Sequence, residues 1–293
     1  MMDEKMIQVR PPSEANSFLL PVTMGCSNNT CTFCGTYTDI KFRIRAVEDI
    51  KRDIDSVAEN YSRNITRIFL ENGDALIAPQ KILVEVLQYL KASFPNLERV
   101  GSYSTPRAGI IKTPEQLKEL RELGLNIAYL GVETGDEELL KQIRKGATYD
   151  EIVEAGRKLK QAGITVSATV ILGLGGVEGS RNHALKTAQI LSDIDPDFAG
   201  ALTIMLTPGT PIHKDWEEGR FTLITPFQAL EELKLIIENS NFTDCFFTAN
   251  HASNYLPVKV HLPEQKEAVL KLITDVLERK DLNDLRPEFR RAL

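Results

Sequence analysis

The chain is poor in the residues that staple a small fold. Four cysteines in 293 residues are too few for a disulfide framework. A chain this long buries about three quarters of its unfolded surface without one. Basic charge is not in excess: Lys and Arg total 35 against 41 Asp and Glu, a net charge of −6. The broad basic face of a general nucleic-acid binder is therefore not expected, and nucleic acid is an unlikely partner. No apolar run approaches the roughly 18 residues of a membrane span, and the polar start of the chain lacks the apolar core of a signal peptide. These absences lead to the expectation of a cytoplasmic protein with no membrane partner. Low-complexity tracts and internal repeats are missing as well.

What the sequence does have is a regular alternation of short apolar runs and amphipathic stretches. Strands are expected at 17–23, 66–71, 99–104, 126–132, 164–172 and 197–206, with a possible seventh at 242–248 and a final helix near 263–279. Val47, Ile50, Ile54, Val57 and Tyr61 recur at spacings of three and four, one face of a helix. Thr113-Pro114-Glu115-Gln116 and Thr225-Pro226-Phe227-Gln228 read as capping boxes with proline at the first helical position. Thr134 with Glu137 reads as a third. The pattern is α/β, a parallel sheet covered by helices. Six βα units are too few to close the usual eight-stranded barrel, which leaves an incomplete barrel or a doubly wound sheet. Residues 1–240 are expected to form the core, and 241–293 a C-terminal extension of strand, loop and helix that closes its side.

Three of the four cysteines fall within nine residues, Cys26, Cys31 and Cys34, spaced C-x4-C-x2-C directly after the first strand. Three readings compete. Structural zinc needs four ligands, and the fourth would have to be Cys245 or a histidine. Three buried, inert thiols are the plainest reading. An iron–sulfur cubane held by three thiolates keeps one iron open to a small molecule, and the local count of three favours this.

A strand ending in Gly-Cys, then a second cysteine, then Cys-x-aromatic-Cys resembles the radical S-adenosylmethionine (radical SAM) superfamily, in particular the HemN/Elp3-like domains. The usual family spacing is C-x3-C-x2-C, so this chain carries one extra residue between Cys26 and Cys31. The resemblance covers residues 17 to about 215. It implies a partial (βα)6 TIM barrel with a short C-terminal extension. It also implies a [4Fe–4S] cluster on Cys26, Cys31 and Cys34, with Phe33 in the family's aromatic position, and S-adenosyl-L-methionine (SAM) as the second cofactor. Gly73-Asp74 matches the turn that receives the SAM amino group. Ser104 lies among polar SAM contacts, and Glu133 matches a ligand of the ribose or the methionine end. Lys145 matches a partner of the SAM carboxylate, Gly173 the glycine of the fifth strand, and Met205 a residue lining the adenine. The implied chemistry is reductive cleavage of SAM to a 5′-deoxyadenosyl radical, which abstracts hydrogen from substrate.

Beyond the resemblance, the loop Thr248–Tyr255 gathers donors, acceptors and a ring; His251 and Tyr255 are its candidate substrate contacts, against a merely hydrogen-bonded turn. Lys41, Arg43 and Arg45, with Lys51 and Arg52 beyond, read as a solvated edge or as a docking patch for an electron donor such as flavodoxin or ferredoxin. The substrate is expected to be a small molecule, with RNA or peptide as the alternative.

Overall fold

The computed structural model describes residues 9–292. In chain order its strands and helices are β1 (Phe18–Pro21), β2 (Thr23–Met24), β3 (Arg43–Ile44), α1 (Val47–Tyr61), β4 (Arg67–Glu71), α2 (Gln80–Ser93), β5 (Arg99–Ser104), α3 (Pro106–Ile111), α4 (Pro114–Glu122) and β6 (Leu125–Glu133). The chain continues through α5 (Glu137–Gln142), α6 (Tyr149–Gln161), β7 (Thr165–Leu172), α7 (Gly176–Ile194), β8 (Phe198–Thr203), α8 (Pro211–Glu217), α9 (Pro226–Asn239), β9 (Cys245–Thr248), β10 (Lys259–Leu262) and α10 (Lys266–Arg279). It divides into two compact units. One takes the chain up to Asn29, Thr36–Leu130 and Glu154–Val166; the other takes Thr30–Gly35, Gly131–Val153 and Ser167 onward.

In the first unit β1, β4, β5 and β6 pair in that order, all parallel. Side chains alternate between the two sheet faces. Ile68, Leu70 and Val100 lie on one face and are fully buried. Leu19, Phe69, Tyr103, Ile127 and Tyr129 pack together on the other. Phe69 meets the rings of Tyr103 and Tyr129 edge-on, with centroids 4.9 and 5.6 Å apart. The buried carboxylate of Glu14 joins this face and is held by Arg67, Arg99, Ser17 and Tyr129. The β2–β3 pair is antiparallel, and β3 is the exposed edge foreshadowed by the charge alternation.

In the second unit β7, β8 and β9 run parallel, and β10 returns antiparallel to β9. All seven expected strands form. β10 was not anticipated, although Val258, Val260 and Leu262 alternate with Lys259 and His261. Residues 241–292 all belong to this unit. Both Thr-Pro capping boxes are present, with reciprocal bonds to Gln116 and Gln228. The third is corrected: α5 is capped by Asp136, whose carboxylate accepts from the Glu138 and Leu139 amides. Thr134 Oγ1 is instead drawn into a buried contact with His183 Nδ1 at 2.7 Å. Among the described residues no helix is long and apolar enough to cross a membrane.

Candidate active site

The loops that carry chemistry leave the C-terminal ends of parallel strands, where α/β folds place their sites. In the first unit Cys26 follows β2 and packs on the turn after β4. A Cβ at Gly73 would sit 2.5 Å from Cys26 Cβ and 2.9 Å from its Sγ, so only glycine admits the thiol there. The Gly73 amide donates to Gly25 O at 3.1 Å, and Cys26 Sγ lies 3.8 Å from Gly73 O. Asp74 ties the two loops together. Its carboxylate accepts from the Ser27 hydroxyl, from the Thr105 amide at 3.1 Å and from the Thr105 hydroxyl at 2.7 Å. Ser104, beside it, is buried and donates to Thr105 O.

In the second unit Thr30–Gly35 is anchored at both faces. The Thr32 amide donates to Ile143 O at 2.9 Å, and the Ile212 amide to Thr32 O at 3.1 Å. Phe33 packs against a core of Leu139, Ile143, Leu174, Ile204 and Ile212. The Cys34 amide closes a turn on Cys31 O.

All three cysteines are half-buried thiols, while Cys245 is fully buried in β9. Partial exposure with a glycine relieved of its Cβ beneath Cys26 fits a bulky inorganic group on soft donors. Among the described residues no three His, Cys, Asp or Glu side chains converge as ligands of a single ion do. Thiolates on separate corners of a cubane need no such convergence, and half-buried thiols are donors of the chemical kind that iron and sulfide take.

At the end of β6, Glu133 and Lys145 form a buried ion pair at 2.7 Å, with side-chain exposures of 12% and 8%. Glu133 sits at φ +66°, a left-handed conformation that costs a non-glycine residue roughly 1–3 kcal/mol. A Cβ at Gly131 would lie 2.5 Å from the Glu133 carboxylate and 2.9 Å from Lys145 Nζ, so Gly131 clears room for the pair. The two residues expected to contact SAM separately are thus brought together. Behind them, His183 bonds Thr134 and Ile171 O, and burial lowers its pKa to about 4. The Gly173 amide donates to Glu232 Oε2 at 2.6 Å, and burial pushes the Glu232 pKa up to about 7. Met205 is half-buried just past β8.

The Thr248–Tyr255 loop is braced from the C-terminus. Asn254 bonds Thr203 and Ala201 O, and Arg286 donates to the carbonyls of His251 and Asn254. The Tyr255 hydroxyl meets Glu288 and Arg291, whose guanidinium lies 4.2 Å over the ring. His251 is half-buried and bonds Ser253. In the basic stretch Arg45 pairs with Asp53, Lys51 with Glu85 and Arg52 with Asp49.

The model of the radical SAM superfamily matches residues 20–188, more than half of the sequence. The chain belongs to the radical SAM superfamily. It is an enzyme of that superfamily, whose cofactors are a [4Fe–4S] cluster and SAM. Similar proteins include a tRNA-2-methylthio-N(6)-dimethylallyladenosine synthase of Bordetella avium (strain 197N), 27% identical over 216 residues that cover 69% of this chain and 44% of that protein. This radical SAM chain therefore spans less than half the length of that relative. Among solved structures, the coproporphyrinogen III oxidase HemN from Escherichia coli has a TM-score of 0.58 at 16% identity, covering 76% of this chain and 51% of that one. Methylornithine synthase (PylB) has a TM-score of 0.53 at 22% identity, covering 77% and 63%. These likenesses give the fold class expected from the sequence, the partial (βα)6 TIM barrel. The tRNA-modifying relative removes support for the expectation that nucleic acid is an unlikely partner.

Sequence reasoning missed several groups. Ser27 and Thr105 escaped it as clamps on Asp74, although Thr105-Pro106 carries a helix-start signal. His183 and Glu232 gave no local sign. Glu71, the last residue of β4, was read only as a strand residue. It is 1% exposed, and burial pushes its pKa up to about 7 against the opposing charge of Arg10.

Proposed function

We propose that this radical SAM enzyme abstracts a hydrogen atom from a small-molecule substrate in the cytoplasm, with an electron donor such as flavodoxin or ferredoxin. Cys26, Cys31 and Cys34 hold the cluster. The cluster and SAM, when bound, supply a 5′-deoxyadenosyl radical. The chain's own residues bind and orient. The backbone at Gly73 and the carboxylate of Asp74 receive the SAM amino group, with Ser27 and Thr105 keeping Asp74 aimed. Glu133 and Lys145, already paired, offer an acceptor and a cation to the ribose and the methionine carboxylate. Ser104, Gly173 and Met205 line the remainder, with Phe33 seating the cysteine loop. His251 and Tyr255 contact substrate, and His251→Ala then weakens substrate affinity.

The observation that supports the radical SAM assignment of these roles is the fit of Cys26 over Gly73 with Asp74 locked beside it. The test is anaerobic reconstitution, followed by an assay for 5′-deoxyadenosine with candidate metabolites and deuterium tracking into that product. Brown protein and deuterated product support the reading; a colourless zinc protein overturns it. A second reading, modification of RNA, is favoured by the tRNA-modifying relative. Formation of 5′-deoxyadenosine that depends on added tRNA and on no small metabolite would establish it instead.

A further inference from the structure

The aromatic face of the first unit carries two buried carboxylates, and they differ in one respect. Glu14 is met by Arg67, Arg99, Ser17 and Tyr129. Glu71 is 1% exposed, yet neither of its oxygens has a hydrogen-bond partner among the described residues. Arg10 acts on it by charge alone, with no hydrogen bond, and a buried carboxylate left without a donor is costly, which fits a partner that arrives from outside. Its position points the same way. Alternation along β4 places Glu71 on the face of Phe69, and the β4–β5 register places it beside Tyr103. Pro21 is its neighbour on β1, and two residues beyond Pro21 the buried Thr23 Oγ1 is also without a partner. Glu71 ends its strand at the carboxyl edge of a parallel sheet, two residues before the Gly73-Asp74 turn. An acceptor-only group above electron-rich rings suits a cation bearing N–H donors.

We propose that Glu71 is the specificity-determining residue of the substrate site and takes the primary ammonium group of a small substrate, with Phe69 and Tyr103 as its aromatic wall. This rests on the proposed small-molecule reading of the enzyme. The carboxylate accepts two N–H bonds from the ammonium, and Thr23 is an acceptor for the third. A neutral alcohol of the same length offers one donor and no charge.

The test uses the full chain with its cluster reconstituted, and measures binding of butylamine and of 1-butanol to wild type and to Glu71→Gln by calorimetry, with melting temperature as a second readout. Wild type is expected to bind butylamine at least tenfold more tightly than 1-butanol. E71Q should lose that preference while melting at a higher temperature, because the amide removes an unpaired buried charge. Equal amine binding by both proteins overturns the proposal. So does a lower melting temperature for E71Q, the mark of a structural partner, or weakened SAM binding with amine binding unchanged. A hexapeptide with a central lysine forms a further arm, and binding of the peptide without butylamine overturns the small-substrate assignment. Failure of the chain to take up iron would sink the radical SAM chemistry at an earlier step, distinct from any of these outcomes.

Discussion

Glu133 and Glu71 end two strands, and both are buried carboxylates, but one is bonded to a cation of the fold and the other has no hydrogen-bond partner among the described residues. Glu133 is held by Lys145 at 2.7 Å in a space cleared by Gly131. Glu71 has no hydrogen-bond partner among the described residues and feels a cation only through the charge of Arg10. The difference separates two uses of buried charge. A paired group is pre-organised and keeps its geometry whether or not a ligand is present. An unpaired one stores a cost that a ligand relieves, which ties affinity to that ligand's charge.

The largest test stands upstream of the comparison. Cys26→Ala, Cys31→Ala or Cys34→Ala should reduce iron after anaerobic reconstitution from about four per chain to background. Retention of iron in any one of them would break the three-thiolate assignment. Next, Lys145→Met strands Glu133 as Glu71 is stranded now, and should destabilise the chain by about 3 kcal/mol in calorimetric melting. Adding Glu133→Gln should recover part of the loss, since the uncompensated charge goes with it. A loss for Lys145→Met no greater than that of a surface lysine would erase the contrast between the two carboxylates.

Gly73→Ala sets a Cβ against Cys26 and should cost about 1–3 kcal/mol, with iron uptake falling by more than the melting temperature would suggest. Unchanged iron content would show that the cysteine loop moves aside at no cost.

The pH dependence sharpens the comparison further. Glu71 and Glu232 rise from 4.5 to about 7 on folding, so the stability they contribute is whole below pH 4.5 and is lost as pH climbs through 7. His183 works in the opposite sense: lowered from 6.5 to about 4, it contributes stability above pH 6.5 that is lost as pH falls through 4. The melting-temperature advantage of E71Q over wild type should therefore grow from pH 4.5 to above 7. An advantage that is flat across that range would mean Glu71 is already compensated. The smallest effect concerns the basic edge. Lys41→Glu with Arg43→Glu should slow turnover a fewfold with flavodoxin as donor and leave dithionite-driven turnover intact; equal slowing with both donors would remove the docking role.

Much of the fold was legible because its signals are local. Thr113 and Thr225 cap their helices as read, since a capping box is complete within four residues. Thr134 shows the limit of such reading. Its hydroxyl had the right spacing to cap α5, but His183, 49 residues away, takes it, and Asp136 caps instead. The cysteine motif was legible for the same reason as the caps, whereas the clamp of Ser27 and Thr105 on Asp74 was not, because it joins three separate loops.

Sequence alone determined which donors this chain offers: three closely spaced thiols, the glycine-bearing turns after its strands, and an α/β alternation that delivers them to strand ends. Tertiary structure decided which charges are satisfied. Partnering depends on groups that strand register and burial bring together from distant positions, and so only the folded chain distinguishes a Glu133 that has its lysine from a Glu71 that lacks one.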